Sequence, residues 1–393
     1  VLAEVRVARI AEAIGRYRTG ALSCVEAAEV LGISERHFRR LRDRYVAEGA
    51  EGLVDRRLGK ASVRRVPADR IAWVVETYRT HYADFTVKHY HEHLKRDHDF
   101  TLSYTWLKTT LQAQGVVRRA ARRSAHRKKR PRRPLPGMML LQDGSTHRWL
   151  AENHDLDLIA TMDDATSELY SAFLVPEEGT MSSFRGLDET IAAKGLFSSL
   201  YTDRGSHYFH TPQAGGKVDK TRPTQVGRAL AQLGIQHIPS YAPEARGRVE
   251  RLFATLQSRW PQELRLAGIT TIAAANAYIR DVLLPRHNAQ FAVPAAEAGS
   301  AFVPYVGPDL ADVLCLEEER TVGKDNCVTY KRLSLQIPAD RHRHHYVKAT
   351  VRVHEYADAT LALFHGPRRL ARYRADGTPI AEEHIANTAR PAA

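Results

Sequence analysis

The sequence predicts a multidomain α/β chain, with helix-turn-helix units in front, a mixed α/β core in the middle and a small β-barrel at the end. Three observations predict it. Helical apolar spacing fills most of residues 3–117. From residue 138 short apolar runs alternate with helical patterns, and after residue 312 a period of two takes over. We expect helical units over 1–56 and 66–117 and a basic linker over 118–135. The core then spans 136–290, a second linker 291–311, the barrel 312–378 and a tail 379–393.

The charge balance sets the class of partner. The 393 residues carry 58 Lys+Arg against 45 Asp+Glu, a net charge of +13, and such a surface suits a polyanion, with nucleic acid foremost. No apolar run approaches the roughly 18 residues of a membrane span, and Glu4, Arg6 and Arg9 interrupt any signal-peptide pattern. The expectation is therefore a cytoplasmic, nucleoid-associated protein. Cys24, Cys315 and Cys327 lack CxxC spacing and read as reduced thiols.

In the first unit Ser23 and Glu26 make a capping-box pattern, Gly32 ends a helix and Ser34 caps the next. Phe38, Leu41 and Tyr45 point inward on that helix, which leaves Arg36, Arg39 and Arg40 outward. This is the pattern of a recognition helix whose arginines read guanine edges in the major groove of double-stranded DNA. The second unit repeats the theme with helices over 68–79, 86–95 and 104–114, offering Thr105, Lys108 and Thr109 to DNA. His89, His91 and His93 lack Cys partners and are placed on a DNA-facing or solvated helix face, so they are not read as a metal site. Residues 118–133 then hold ten Lys/Arg and no acid. Among them Arg127, Lys128, Lys129 and Arg130 are expected to contact phosphates without reading sequence.

The core opens with strands expected over 138–142, 156–162 and 169–175, followed by a helix over 182–193 and a strand over 196–201. A helix over 224–233, a strand over 235–238 and a last helix complete it. Asp143 and Asp203 come where buried strands should end. Glu250 borders the apolar face that Val249, Leu252, Phe253 and Leu256 make on the last helix. Taken singly, each acid reads as a turn residue or a solvated charge; three in this order read as a site. Glu244, at the start of that helix, is accounted for by capping and the helix dipole.

The segments QDGS with Trp149 following, TDRGS and GRVER, in this order, resemble the DDE transposase and retroviral integrase family, most closely bacterial insertion-sequence transposases. The resemblance extends to the NAQFAVPAAEAGSAFVP segment. It implies an RNase H-like core with Asp143, Asp203 and Glu250 as catalytic acids and metal ligands. In it Asp143 bridges two ions, while Asp203 and Glu250 hold one each. Carboxylates cannot assist an anionic phosphodiester directly, and hard oxygen ligands suit Mg²⁺, with Mn²⁺ able to substitute. The polar segment 205–223 is longer than in integrases, whose His/Cys zinc module has no counterpart here.

The implied activity is binding of the terminal inverted repeats of an insertion sequence, cleavage at its ends and joining of the 3′-OH to target DNA. Two other classes fit the same residues: a transposase-derived DNA-binding regulator without catalysis, and a metal-dependent nuclease without joining activity. One trio of acids and no internal repeat imply at least a homodimer on paired ends. At the C-terminus Val347, Ala349, Val351 and Val353 alternate with Lys348, Thr350, Arg352 and His354, which predicts a strand with a basic outer face within a five-stranded barrel. His342, His344 and His345 read as a polar loop.

Overall fold

The computed structural model describes residues 2–55, 65–119, 130–151, 154–213, 216–219, 221–241, 243–339 and 342–380, giving the backbone alone for residues 2 and 243–246. Arg127, Lys128 and Lys129 lie outside the described residues, as do the side chain of Glu244 and most of the expected tail. The chain forms two compact units, Val1–Thr80 and His81–Ala393.

The first unit comprises α1 (Leu2–Arg18), α2 (Cys24–Leu31), α3 (Glu35–Glu48) and α4 (Ala68–His81, whose last residue opens the second unit). The capping box forms as expected. The Glu26 N–H donates to Ser23 Oγ at 3.2 Å and the Ser23 N–H donates to Glu26 Oε2 at 2.7 Å. Gly32 takes φ 65°, a left-handed conformation in which it costs no Cβ strain and closes α2. Ile10, Ile14, Ala27, Phe38 and Leu41 form the core, so α3 docks by Phe38 and Leu41 and leaves Arg36, Arg39 and Arg40 exposed.

The second unit begins with α5 (Val87–Asp97), capped by Thr86, and α6 (Tyr104–Ala113), capped by Ser103. Thr105, Lys108 and Thr109 are exposed on α6. The histidines of α5 depart from the expected DNA-facing or solvated placement: His89, His91 and His93 are buried, at 2%, 7% and 2% exposure. For His89 and His93 the cause is a distant helix, α10 (Trp260–Leu266), whose Glu263 stands 2.8 Å from each, while His91 Nε2 meets the Leu102 carbonyl at 2.9 Å.

The core follows the expected order. It runs β1 (Leu140–His147), β2 (Leu156–Asp163), β3 (Leu169–Val175), α7 (Thr180–Lys194), β4 (Ser199–Thr202), α8 (Gln225–Gln232), β5 (Gln236–Pro239) and α9 (Pro243–Gln257). The sheet order is β3-β2-β1-β4-β5; β1 is antiparallel to β2 and parallel to β4. One face carries Leu141 and Tyr201 under Val249, Leu252, Phe253 and Leu256 of α9. The other carries Leu140 and Leu200 under α7 and α8. Burial of each large apolar side chain contributes about 1.5–3 kcal/mol, which keeps α9 docked. After α10 come α11 (Ile272–Tyr278) and α12 (Leu284–Phe291).

The C-terminal region corrects the barrel. β6 (Leu316–Thr321), β9 (Thr350–Glu355), β10 (Leu361–His365), β11 (Arg368–Tyr373) and β12 (Pro379–Ile380) make an open sheet of order β12-β11-β10-β9-β6. β7 (Cys327–Tyr330) and β8 (Leu333–Gln336) pair separately as a two-stranded ribbon. Closure requires the edges β6 and β12 to meet, and each pairs with a single inner strand. Val351 and Val353 are buried as the alternation demands. His354, expected outside, is buried as well, because Phe364 stacks on it at 4.2 Å and Glu317 of β6 stands 3.3 Å from its Nε2. Among the described residues no helix is long and apolar enough to cross a membrane.

Candidate active site

Strand alternation decides where Asp143 points. Leu141 packs under α9, so Asp143 and Ser145, at i+2 and i+4, share that face. Ser145 Oγ accepts from Gln257 Nε2 of α9 at 2.9 Å, while Gln142, on the opposite face, donates to the Ser183 carbonyl of α7 at 3.3 Å. Asp143 is the fourth of eight residues in β1, where a strand end was expected. Pairing with β2 runs unbroken from Leu140↔Asp163 to His147↔Leu156 and carries the strand past the end of its apolar run.

Asp203 stands beside it. Leu141 lies opposite Tyr201 in the parallel β1–β4 register, and two residues on from each come Asp143 and Asp203. Neighbouring strands lie about 4.8 Å apart, so the two residues stand side by side where β4 ends. Asp143 is buried at 6% exposure, and Asp203 is half-buried, with its Oδ1 accepting from the Gly205 N–H at 2.8 Å. Burial, reinforced by the charges of Glu178, Asp143 and Asp203, raises the Tyr208 hydroxyl well above its ordinary range. That hydroxyl donates to Gln142 Oε1 at 3.1 Å.

Glu250 is exposed on α9, the helix that covers the Asp143 face. The structure thus pairs Asp143 with Asp203 and holds Glu250 apart. Among the described residues, the grouping of three His, Cys or acid side chains with ligand atoms within 4.8 Å is His89, His93 and Glu263, not this trio. The helix itself is held at Arg248 and at its C-terminal end. Arg248 Nη1 donates to Asp164, its Nη2 donates to the Arg130 carbonyl at 2.5 Å, and Gln257 holds Ser145.

Sequence reasoning missed Glu178, which follows β3. It lies against Gly144, where a Cβ would overlap its carboxylate, and its Oε1 is 3.5 Å from His207 Nε2. The Glu178 N–H donates to Asp157 Oδ2 at 2.7 Å, which fixes the turn. An acid just beyond a strand end was the available signal, the same one that singled out Asp203. Asp143 and Asp203, neighbours in the parallel register, offer the oxygen donors that suit a hard divalent cation, while Glu178 packs on the Gly144 side of β1 and is not grouped with them at ligand distance.

The DNA-facing candidates divide. Arg36, Arg39, Arg40 and Lys108 are exposed on helices. Arg130, expected to contact phosphates of DNA, donates to the fully buried Asp164 at 2.5 Å.

A winged helix-turn-helix family model matches residues 7–72. The chain is 32% identical over 354 residues, 89% of its length and 77% of the relative's, to the protein named "Putative transposase y4bF" from Sinorhizobium fredii. It is 33% identical over 151 residues, 38% of its length and 32% of the relative's, to the transposase for insertion sequence IS1202 of Streptococcus pneumoniae. Among solved structures, a simian T-cell lymphotropic virus intasome in complex with a PP2A regulatory subunit matches 74% of this chain and 91% of that chain, at 14% identity and a TM-score of 0.35. The HTLV-2 integrase catalytic core domain in complex with magnesium matches 37% and 85%, at 14% identity and a TM-score of 0.29. By its extended identity to y4bF over most of both chains, the protein belongs to the same family of transposases.

Proposed function

We propose that this transposase binds the terminal inverted repeats of an insertion sequence, cleaves at the element ends and joins the freed 3′-OH to target DNA. The observation that carries the reading is the pairing of Asp143 and Asp203 on parallel neighbouring strands beneath the helix that bears Glu250. In this reading these three acids hold two Mg²⁺ ions, for which Mn²⁺ can substitute. Such ions, when bound, stabilise the attacking and leaving oxygens of an in-line phosphoryl displacement.

The chain's own residues supply position. Asp143 is held rigidly within a strand paired along its length, and Asp203 is steered by the Gly205 N–H. Glu250 is carried on α9, whose alignment depends on Arg248 and Gln257. Glu178 packs against Gly144 from the other side of β1. Arg36, Arg39 and Arg40 read the element end, Lys108 adds a contact, and Arg127, Lys128 and Lys129 bind phosphates along it. Two ends require two trios, hence at least a dimer of this chain on paired ends.

Incubating the full chain with labelled end DNA, Mg²⁺ and a target plasmid tests the reading. Cleaved ends joined to plasmid support it. End binding without cleavage would make the chain a regulator, and cleavage without joining a nuclease.

A further inference from the structure

A second cluster lies away from the proposed catalytic acids. His89 and His93 stand one turn apart on α5, and Glu263 faces them from α10. Glu263 Oε1 is 2.8 Å from His89 Nε2 and 2.8 Å from His93 Nε2, and all three side chains are buried. The three ligand atoms lie within 4.8 Å of one another.

The protons constrain what this arrangement is. A carboxylate oxygen only accepts, so each facing Nε2 must carry a proton or share a cation with it. His93 Nδ1 meets a second carboxylate, Asp97 Oδ2, at 3.0 Å. With a proton on Nδ1 directed at Asp97, the Nε2 lone pair is left facing Glu263. Either the histidine is only hydrogen-bonded, with Nδ1 accepting from Arg96 Nη2 at 2.8 Å and Nε2–H donating to Glu263, or a cation sits where Nε2 and Oε1 converge.

The pattern matches the second alternative. Two histidines at i and i+4, a carboxylate from another element and an outer carboxylate orienting one imidazole reproduce a zinc-type ligand set. A cavity of about 330 Å³ beside His93 and Glu263 has room for a water as fourth ligand. Two guanidiniums stand near. Arg96 Nη2 is 2.8 Å from His93 Nδ1 and 3.4 Å from its Nε2, and Arg286 Nη1 is 3.8 Å from Glu263 Oε2. Asp97 pairs with Arg96 at 2.7 Å and offsets its charge, while Arg286 approaches the oxygen turned away from the histidines.

We propose that His89, His93 and Glu263 bind a structural divalent cation of the zinc class, which pins α5 to α10. Imidazole donors select such an ion over the Mg²⁺ expected at the acids. The surrounding contacts already align these helices. Arg259 pairs with Glu92 at 2.6 Å and Arg265 with Asp84 at 2.8 Å, so the site closes an interface that is laced on both sides. The proposal stands whether or not the chain cleaves DNA.

The test uses the full chain, purified without a histidine tag or chelator and carrying Asp143→Asn, Asp203→Asn and Glu250→Gln to empty the other site. Elemental analysis should find about one zinc per chain. Adding Glu263→Gln, which keeps hydrogen-bonding capacity, should lower the content about tenfold or more. Stripping with phenanthroline should lower the thermal midpoint, and Zn²⁺ but not Mg²⁺ should restore it, with no such response in the Glu263→Gln chain. If that variant does not fold, Zn²⁺ uptake by the stripped parent decides alone. A folded parent that carries no zinc and takes none up overturns the proposal and leaves the three side chains as a hydrogen-bonded cluster. Undiminished zinc in Glu263→Gln overturns it too.

Discussion

Replacing Asp164 by Ala should release the helix that bears Glu250. Asp164 is fully buried; its Oδ1 accepts from Arg130 at 2.5 Å and from Arg248, and its Oδ2 accepts from the Arg133 N–H at 2.9 Å. Removing one partner of a buried ion pair costs about 3–5 kcal/mol when the other is left stranded. Here the side chains of Arg130 and Arg248 are 34% and 16% exposed and can turn toward water, so we expect about 2–3 kcal/mol. In a unit of this size each kcal/mol moves the midpoint by roughly 2 °C, giving a fall of about 4–6 °C by calorimetry. Asp164→Asn keeps one acceptor oxygen and should lose about half as much. DNA cleavage should decline more than end binding in both variants. A midpoint lowered by under about 1 °C in Asp164→Ala, or equal losses for Ala and Asn, would refute the assignment of this node as the anchor of α9.

Other outcomes follow from the same geometry. Arg36→Ala, Arg39→Ala or Arg40→Ala should each weaken specific end binding by about 1–3 kcal/mol where a base contact is lost, whereas neutralising Arg127, Lys128 and Lys129 should weaken all DNA binding and flatten its salt dependence in titrations. Loss of sequence preference with an unchanged salt slope in the linker variant would reverse these roles. Burial pushes His237, His287 and His354 down to about 4 from the ordinary imidazole range. The unfolded chain then binds more protons between about pH 6.5 and 4, so stability is full above that window and falls as pH drops through it, by up to about 3 kcal/mol per histidine. A thermal midpoint that stays flat across that range would contradict it. Mg²⁺ or Mn²⁺ should support cleavage while Ca²⁺ permits assembly with little chemistry. Undiminished cleavage in excess chelator would rule the metal mechanism out.

Local signals announced most of the core. α8 forms within the expected 224–233, with Thr224 as its cap, β3 has the expected bounds, and Phe38 and Leu41 face inward on α3. What escaped depends on residues remote in the chain. β1 continues through Asp143 because β2 pairs along all of it. His89 and His93 are buried because Glu263 reaches them from α10, and His91 because it packs on Phe100 and Tyr104. His354 turns inward because β6 supplies Glu317 and β10 supplies Phe364. A period of two identifies a strand but does not say whether the outer strands of its sheet meet, so barrel and open sheet read alike. Glu178 was hidden for a related reason: only the fold brings the end of β3 against Gly144.

The most direct test of the central claim is cleavage of labelled end DNA in Mg²⁺ by Asp143→Asn, Asp203→Asn and Glu250→Gln, with binding measured on the same samples. The account predicts cleavage lost in all three, by at least about 100-fold, with end binding retained. Full cleavage by Asp143→Asn or Asp203→Asn would contradict the account at its centre. Activity kept by Glu250→Gln and lost in Glu244→Gln would move the third acid to Glu244.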